Sequence, residues 1–502
     1  MIEREVKLSA WPGFRLPDLD GVAPGARTRR RETVDLDATY FDTADLRLGR
    51  RGITLRHRRR GARETWTLKL PVESTDPAIL ARSEIDLTGP PGDVPAELAL
   101  LVAAEVRTAT LVKVARLMTV RRRTLVLGRD DLPLAEIDDD EVSVMDGGRV
   151  AARFRELEVE IAPDVDDEVA RKIVDRLVAN GAEPGGNLPK LARAVGPRFV
   201  APPEAAPCDL PVEPTAGDVV AVALRHGATR LIENHPAAVT GIDPEGVHQM
   251  RVGARRLRSD LRTFRTLLDR DVTDPVRDEL RWLGEALGAV RDPDVLGDQI
   301  RAVAADALPS EDAATLDGLV GRLAATREAA VAELHEVLGS DRYRRLLDQI
   351  VALAEDPPRR RAAADAADAV LPGLVAKPWR DLRKEVEALG DDPADAALHE
   401  VRKTAKQVRY ATEAVAPVVG RPARKAAKGL RRVQDVLGDH QDTVVAEEWL
   451  RDVAAAPGIE AAEAFALGLL VAGERARRAA RREAWAERWE AAAADDRWSW
   501  LP

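Results

Sequence analysis

The sequence predicts two domains of different fold class: an α+β domain built on an antiparallel β-barrel with covering helices, then an all-α helical bundle. Three observations lead to this prediction. The chain has 502 residues, which is too long for a single core. Its first 200 residues alternate short β-rich runs with turns, whereas the remainder is rich in Ala, Leu, Arg, Glu and Asp at helical spacing. A proline-rich stretch separates the two regions.

The domain boundaries follow from composition. Six prolines fall between Pro197 and Gly217, where apolar periodicity is weak, and this composition is typical of a semi-rigid linker. We therefore expect a first domain over residues 1–198, a linker over 199–216 and a helical domain over 217–490.

The elements of each domain follow from the spacing of apolar residues. In the first domain we expect strands near 2–8, 35–41, 53–60, 64–70, 82–88, 119–127, 133–138 and 153–161, with helices near 94–103 and 166–180. In the second, the helical spacing places one set of apolar residues on a buried face: Leu257, Leu261, Phe264, Leu267 and Leu268. Residues 461–494 are expected to form one long amphipathic helix.

Four of the predicted strands carry charged or polar residues on one face. Successive strand residues alternate sides, so Glu3, Glu5 and Lys7 share a face opposite to Val6. The other three faces hold Arg56, Arg58 and Arg60; Thr67 and Lys69; and Glu156, Glu158 and Glu160. One such strand alone would simply face water, but four favour a barrel whose charged faces line its interior. A barrel that holds acids and bases together suits a metal-bound polyanion.

The composition limits the classes of partner and compartment. The net charge is -10, which argues against a general nucleic-acid binder, and the first 200 residues are balanced at 33 basic against 34 acidic residues. A polyanion site must therefore be a local cluster. A lone Cys208 excludes an internal disulfide and fits a reducing cytoplasm, and no apolar run suits a membrane helix or a signal peptide. We expect a cytoplasmic protein without a membrane partner.

Four motifs of the first domain resemble the CYTH family of triphosphate tunnel enzymes. They are Glu3-x-Glu5-x-Lys7, the run YFDTADLRL at 40–48, the run GITLRHR at 52–58, and Glu156-x-Glu158-x-Glu160. The resemblance implies a metal-dependent phosphoanhydride hydrolase similar to the bacterial inorganic triphosphatases. Cleavage of a phosphoanhydride needs cations for the phosphate oxygens, a divalent metal, and carboxylates that hold the metal and orient water.

The resemblance also implies a role for each matching residue. A divalent metal, Mg²⁺ or Mn²⁺, would be held by Glu3, Glu5, Asp138, Glu158 and Glu160. The substrate phosphates would be bound by Arg56, Arg58, Lys69, Arg82, Arg121, Arg123 and Lys190. Lys7 and Glu5 are the catalytic candidates, and the group that activates water stays open between Lys7 and the nearby carboxylates. Glu156 begins its strand and is expected to face solvent.

The helical region contains a repeated pattern. His248-x-x-Arg251 returns as His399-x-x-Arg402, and a Leu-Gly-x-x-(Arg/Gln)-Asp element follows each copy, so the two halves are about 150 residues apart and predict a pseudo-twofold bundle. Basic residues follow each histidine at helical spacing, and such a stripe is costly unless an anion lies against it. The pattern resembles the CHAD domain, which implies polyphosphate binding by His248, Arg251, Arg255, Arg258, His399, Arg402, Lys403, Lys406 and Arg409.

Together these patterns predict hydrolysis of inorganic tripolyphosphate, or a similar linear triphosphate, in the first domain and binding of inorganic polyphosphate by the second. The alternative is a non-catalytic protein that tethers itself to polyphosphate granules. The two Glu-x-Glu motifs argue against it, because binding alone would need the cations but not the acids. Nucleic acid is an improbable partner, since the aromatic residues are few and are not interleaved with the basic stripes.

Overall fold

The computed structural model describes residues 4–71, 82–129, 131–185, 188–241 and 244–502. The chain divides into two compact units, Met1–Glu204 and Ala205–Pro502, and the division falls within the predicted linker. We call them the barrel unit and the helical unit and describe each by itself. Among the described residues, none of the helices combines the length and the apolar character needed to cross a membrane.

The barrel unit is a curved antiparallel sheet with short helices. Its strands are β1 Arg4–Ala10, β2 Arg27–Arg30, β3 Val34–Asp42, β4 Thr54–Arg60, β5 Arg63–Pro71, β6 Arg82–Thr88, β7 Val112–Leu127, β8 Pro133–Asp146, β9 Arg149–Ile161 and β10 Ala182–Pro184. Its helices are α1 Arg47–Arg50, α2 Ala96–Leu101, α3 Ala103–Val106, α4 Asp167–Ala179 and α5 Lys190–Val195. The strand order is β10-β1-β9-β8-β7-β3-β4-β5-β6, with β2 also paired to β7.

The register of this sheet brings the charged faces together. Lys7 of β1 lies opposite Glu158 of β9, which lies opposite Asp138 of β8, which in turn lies opposite Arg123 of β7. Directly opposite residues of an antiparallel pair point to the same side of the sheet. The charged residues of these four neighbouring strands therefore share the concave face, and the predicted charged faces of β1 and β9 are among them.

The convex face of the sheet carries the apolar core. Leu8, Leu157 and Val159 pack with Ile173 and Leu177 of α4, and all five are at most 2% exposed. The apolar faces of the charged strands thus pack outward under a covering helix, which confirms the predicted arrangement. Burial of these side chains stabilises the sheet by roughly 1.5–3 kcal/mol each.

The helical unit begins with a capping box. Thr215 Oγ1 accepts a hydrogen bond from the backbone N–H of Asp218, and the Asp218 carboxylate accepts one from the backbone N–H of Thr215. Its helices are α6 Ala216–Glu233, α7 His235–Thr240, α8 Pro244–Thr263, α9 Arg270–Ala307, α10 Ala313–Gly339, α11 Asp341–Glu355, α12 Ala367–Glu387, α13 Asp395–Val419, α14 Arg421–Ala454 and α15 Ala461–Ala493.

The predicted helical core is confirmed. Leu257, Leu261, Phe264, Leu267 and Leu268 are each at most 2% exposed. The long last helix is also confirmed as α15. Ordered packing continues past the predicted end at 490, because the ring of Trp498 stacks on Trp379 of α12 with a centroid distance of 3.8 Å.

Candidate functional site

The concave face of the barrel unit encloses a cavity of about 290 Å³, which we call the central cavity. Its wall combines cationic and acidic side chains from seven strands and one helix. The charged residues that line it are Glu5, Lys7, Arg56, Arg58, Arg60, Lys69, Glu84, Arg121, Arg123, Asp140, Glu158, Glu160 and Lys190. The structure therefore brings most of the predicted metal and phosphate residues to one site.

Lys190, the first residue of α5, lies among three buried carboxylates. Its Nζ is 2.6 Å from Glu158 Oε1, 2.7 Å from Glu156 Oε1 and 2.9 Å from Asp140 Oδ2. Burial alone would lower the pKa of Lys190, but the three carboxylates outweigh it and hold that pKa well above its usual value. This helix start is therefore fixed to the sheet by charge.

Lys7 lies between the two Glu-x-Glu motifs. Its Nζ is 3.0 Å from Glu158 Oε1 and 3.3 Å from Glu5 Oε1. Burial opposes the charge of Lys7, yet Glu158 and Glu5 raise its pKa above the usual value. Burial and the neighbouring Glu158 raise the pKa of Glu5. Lys7 thus keeps its proton near neutral pH, which suits phosphate binding and not water activation, whereas Glu5 is the better proton acceptor.

The arginines on the cavity wall differ in how they are neutralised. Arg121 binds Asp140 through two hydrogen bonds of 2.8 and 2.6 Å and contacts Glu158 at 2.6 Å and Asp138. Arg58 has no such partner among the described residues, and burial together with Arg56 and Arg121 lowers its pKa to about 10. A buried guanidinium whose charge is disfavoured by its neighbours is a strong site for an incoming anion.

The carboxylates of the central cavity fit a hard divalent cation, because Mg²⁺ and Mn²⁺ prefer oxygen ligands. Asp140, Glu156 and Glu158 each offer an oxygen, and these oxygens lie within 4.8 Å of one another. Glu156 Oε1 is buried and accepts no hydrogen bond of normal geometry from a described residue, although Lys190 Nζ lies 2.7 Å away. Glu158 is the residue common to this cluster and to the predicted metal set.

The structure corrects one expectation and adds one residue. Glu156 does not face solvent: it is 3% exposed and contacts Lys190 and Arg193. Asp140 was not among the predicted residues, although its spacing of two from Asp138 places both on one strand face. Asp140 lies opposite Arg121 in the register and is fully buried.

The remaining predicted residues have different surroundings. Asp138 is 2% exposed, contacts Arg121 and Arg123, and does not line the cavity; burial raises its pKa to about 6. Glu3 lies outside the described residues. Arg82 begins β6, but its side chain is not among those that the structure describes. Their roles, like that of Asp138, stay predictions.

The helical unit contains a cavity of about 560 Å³ between α8, α9, α12 and α13, which we call the cationic cavity. It is lined by seven basic side chains and one acid: Arg255, Arg258, Arg262, Arg277, Lys377, Lys403, Lys406 and Asp381. Burial and then Arg402 and Arg255 lower the pKa of Lys406 to about 8. Burial and nearby arginines also lower the pKa of Arg258 and of Arg262.

The other predicted basic residues of the helical unit are distributed around this cavity. Arg251 Nη1 pairs with Asp292 Oδ1 at 2.6 Å, and Arg402 lies beside Gly438, at which a Cβ atom would approach Arg402 Nη2 to 3.4 Å. Asp292 and Gly438 belong to the two Leu-Gly elements. Each element therefore lies next to the leading arginine of its helix, while the pseudo-twofold repeat itself stays a prediction.

A second cavity of the helical unit, of about 820 Å³, holds His248 and Arg409. Here Glu413 Oε1 is 2.6 Å from Arg409 Nη1 and 3.0 Å from Arg431 Nη2, and Glu413 Oε2 is 2.9 Å from Arg256 Nη1. We call these four residues the Glu413 cluster. His399 lines a separate cavity with Glu447 and Arg478, and its Nδ1 is buried without a described partner.

Comparison with known proteins agrees with the two units. The family model of the CYTH domain matches residues 1–181, and that of the CHAD domain matches residues 222–451. The chain is 33% identical over 493 residues to the uncharacterized protein Rv2226 of Mycobacterium tuberculosis (strain H37Rv), covering 93% of this chain and 92% of that protein. The chain is a CYTH–CHAD protein. The barrel unit carries the CYTH domain, and the helical unit carries the CHAD domain.

Two solved structures are similar to this CYTH–CHAD protein. PptA from Streptomyces chartreusis is 28% identical with a TM-score of 0.47, and the match covers 55% of this chain and 99% of that chain. The CHAD domain from the plant Ricinus communis is 30% identical with a TM-score of 0.47, covering 58% of this chain and 97% of that chain.

Lys190 lies beyond the residues that the CYTH model matches, yet it is in the centre of the acidic cluster. CYTH domains are metal-dependent triphosphate tunnels, so the central cavity is a triphosphate tunnel in this general sense.

Proposed function

We propose that the barrel unit hydrolyses inorganic tripolyphosphate, or a similar linear triphosphate, with Mg²⁺ or Mn²⁺, and that the helical unit binds inorganic polyphosphate. The observation that carries the proposal is the close mixture of charges in the central cavity. Lys7 lies between Glu5 and Glu158, and Arg58, which forms no ion pair with a described residue, lines the same wall. A cavity that only bound polyphosphate would need the cations but would be weakened by the carboxylates.

The cationic side chains bind and orient the triphosphate. Arg56, Arg58 and Lys69 project from β4 and β5, while Lys7 and Arg121 project from β1 and β7, so phosphate oxygens meet donors from both sides. Arginine can bind such oxygens bidentately. These fixed charges also neutralise the oxygens of the phosphoryl group in the transition state, which is the main need of phosphoryl transfer.

The carboxylates provide the metal and proton functions. We assign the metal to Glu5, Glu158 and Glu160 of the cavity wall, with Glu3 and Asp138 completing the predicted set. A bound divalent ion supplies Lewis-acid polarisation of a phosphoryl oxygen. Glu5 is the proton acceptor that we propose for the attacking water, and it would then hold the metal through that water and not directly.

The cationic cavity carries the second half of the proposal. Its seven basic residues face one carboxylate, Asp381. Burial first, and then repulsion from neighbouring cations, lowers the pKa values of Lys406, Arg258 and Arg262, and a bound anion would relieve that repulsion. A polyphosphate chain offers repeated charges without base-specific groups, which matches a cavity of cations with few aromatic residues.

The two activities are separated by matched variants of the full chain. We expect Arg258→Glu with Lys406→Glu to abolish polyphosphate binding by the helical unit and to leave phosphate release from tripolyphosphate unchanged. Arg56→Ser should abolish phosphate release from tripolyphosphate and leave polyphosphate binding by the helical unit unchanged. Phosphate release should be compared for tripolyphosphate, ATP and thiamine triphosphate. If no substrate releases phosphate while polyphosphate still binds, the granule-tethering alternative replaces the enzymatic proposal.

A further inference from the structure

The exposed arginines at one mouth of the central cavity form a row that continues its phosphate-binding wall. Arg60 and Arg123 line the cavity. The backbone N–H of Arg31 donates to the carbonyl of Arg123 at 2.9 Å, and Arg29 lies opposite Leu125 two residues further along β7. Odd-numbered residues of β7 face the cavity, as Leu117, Thr119, Arg121 and Arg123 do. Arg29 and Arg31 therefore lie on the cavity side of the sheet.

This mouth lies at the end of the cavity away from α5. Leu191 and Ala192 of α5 pack against Ala38 of β3 and Leu117 of β7. Ala38 and Leu117 line the end of the cavity that lies opposite to the arginine row along these two strands. The register runs from Ala38 opposite Leu117 to Val34 opposite Arg121, and β2 then continues beside β7 beyond Arg121. One end of the cavity is thus covered by a helix, and the arginine row extends the other.

Arg123 pairs with Glu136 and Asp138, but the four arginines beyond it at this mouth have no such partner among the described residues. Arg29, Arg31, Arg60 and Arg63 are exposed and form no ion pair with a described residue, and Arg60 lies directly opposite Arg63. Like charges directly opposite on two strands are destabilising. Two arginines on the convex face of β4 and β7 do have carboxylate partners: Arg59 pairs with Asp37 at 3.2 Å, and Arg122 pairs with Glu141 at 3.0 Å.

We propose that Arg29, Arg31, Arg60 and Arg63, the arginine rim, bind the part of a linear polyphosphate that extends beyond the three phosphates in the central cavity. The inference rests on the proposed function of that cavity and deepens it. The barrel unit then selects for chain length by itself, since a chain longer than tripolyphosphate reaches the rim and tripolyphosphate does not. The chain end lies toward α5, and the remainder leaves through the rim.

The test uses the full chain with Arg29→Ser and Arg31→Ser, and Arg30→Ser as the matched control. Arg30 is an exposed arginine of the same strand on the opposite face. We expect the double variant to lower the ratio of kcat/KM for a long linear polyphosphate to that for tripolyphosphate by about tenfold, since two exposed phosphate contacts are lost. Arg30→Ser should leave this ratio within about twofold. The proposal is overturned if this kcat/KM ratio is equal in wild type and the double variant, or if Arg30→Ser lowers the ratio as much as the double variant does.

A binding measurement keeps the two proposals distinguishable. Titration calorimetry with long polyphosphate uses the full chain in which Arg258→Ser and Lys406→Ser silence the cationic cavity. The rim substitutions should weaken this binding by about tenfold and reduce the slope of log affinity against log salt by about one unit. If no substrate is hydrolysed but this loss occurs, the rim stands and the enzymatic proposal fails. If hydrolysis occurs and neither the ratio nor the affinity changes, the rim fails alone.

Discussion

Lys190 Nζ lies 2.6 Å from Glu158 Oε1, so the first residue of α5 and the middle of β9 share a buried ion pair. The same ammonium contacts Asp140 and Glu156, which makes Lys190 the counter-charge for three carboxylates at once. Lys190 follows Glu158 by 32 residues in the sequence, so a helix distant along the chain completes the acidic side of the central cavity.

Removing this ammonium should destabilise the barrel unit strongly. We expect Lys190→Met to lower the free energy of unfolding by about 3–5 kcal/mol, because three buried carboxylates lose their partner. The change is measured at the amides of β8 and β9 by native-state hydrogen exchange. Lys172→Met, which removes an exposed pair with Glu168, should cost less than about 1 kcal/mol. Equal losses in both variants would show that Lys190 is not the central counter-charge.

Arg121 should resist conservative replacement because of its geometry. Its two hydrogen bonds to Asp140 and its contact with Glu158 need the planar guanidinium, which a lysine does not reproduce. We expect Arg121→Lys to lower kcat/KM for tripolyphosphate by about 10- to 100-fold. Arg122→Lys changes the adjacent, outward-facing arginine and should leave kcat/KM within about twofold. If Arg121→Lys lowers kcat/KM by less than about tenfold, the two hydrogen bonds from Arg121 to Asp140 are not needed to position Arg121.

Glu413 should limit the affinity of the helical unit for anions. It contacts Arg256, Arg409 and Arg431, and its carboxylate competes with phosphate for their charge. We expect Glu413→Gln to tighten polyphosphate binding by about three- to tenfold, since the competing carboxylate charge is gone. Glu487→Gln changes an exposed carboxyl of α15 and serves as the control. Weaker binding with Glu413→Gln would mean that the carboxylate only holds the arginines in a binding geometry.

Polyphosphate binding by the cationic cavity should depend on pH through Lys406. Burial, Arg402, Arg255 and Arg251 lower its pKa to about 8, opposed by Asp442. Lys406 therefore loses its charge as the pH rises through 8, and the affinity for polyphosphate should fall between pH 7 and 9. The sign for stability is the opposite: the folded pKa lies below the unfolded value, so the free energy of unfolding rises with pH between the two.

The control for this pH dependence is Lys406→Arg, whose guanidinium stays charged across the range. Titrations at pH 7, 8 and 9 should show a fall in affinity for wild type and a smaller fall for the variant. Parallel curves for the two proteins would assign the pH dependence to another group.

The strands and their charged faces were predictable because a β-strand alternates sides at every residue. That rule placed Glu5 and Lys7 on one face of β1 and Glu158 on one face of β9, and the register of the two strands brings these faces together. The same rule applied to Asp138 would also have found Asp140. The exposure of Glu156 was predicted wrongly because local sequence contains no sign that Lys190 returns to it from α5.

In the helical unit, spacing predicted which residues share a stripe but not their partners. Arg255, Arg258 and Lys406 do line one cavity. Arg409 instead pairs with Glu413 and Gln434, in another cavity. Glu413 follows Arg409 by one helical turn, so that partner was readable from the sequence. Gln434 belongs to α14, and its approach depends on tertiary packing that spacing does not encode.

The central claim is that the mixed charges of the central cavity hydrolyse a linear triphosphate with a divalent metal. Its most direct test is phosphate release from tripolyphosphate by the purified full chain with Mg²⁺, with Mn²⁺ or with a chelator, for wild type, Glu5→Gln and the convex-face control Glu141→Gln. We predict release that requires the metal, is lost in Glu5→Gln and is retained in Glu141→Gln. Release that persists in the chelator, or in Glu5→Gln, would contradict the account.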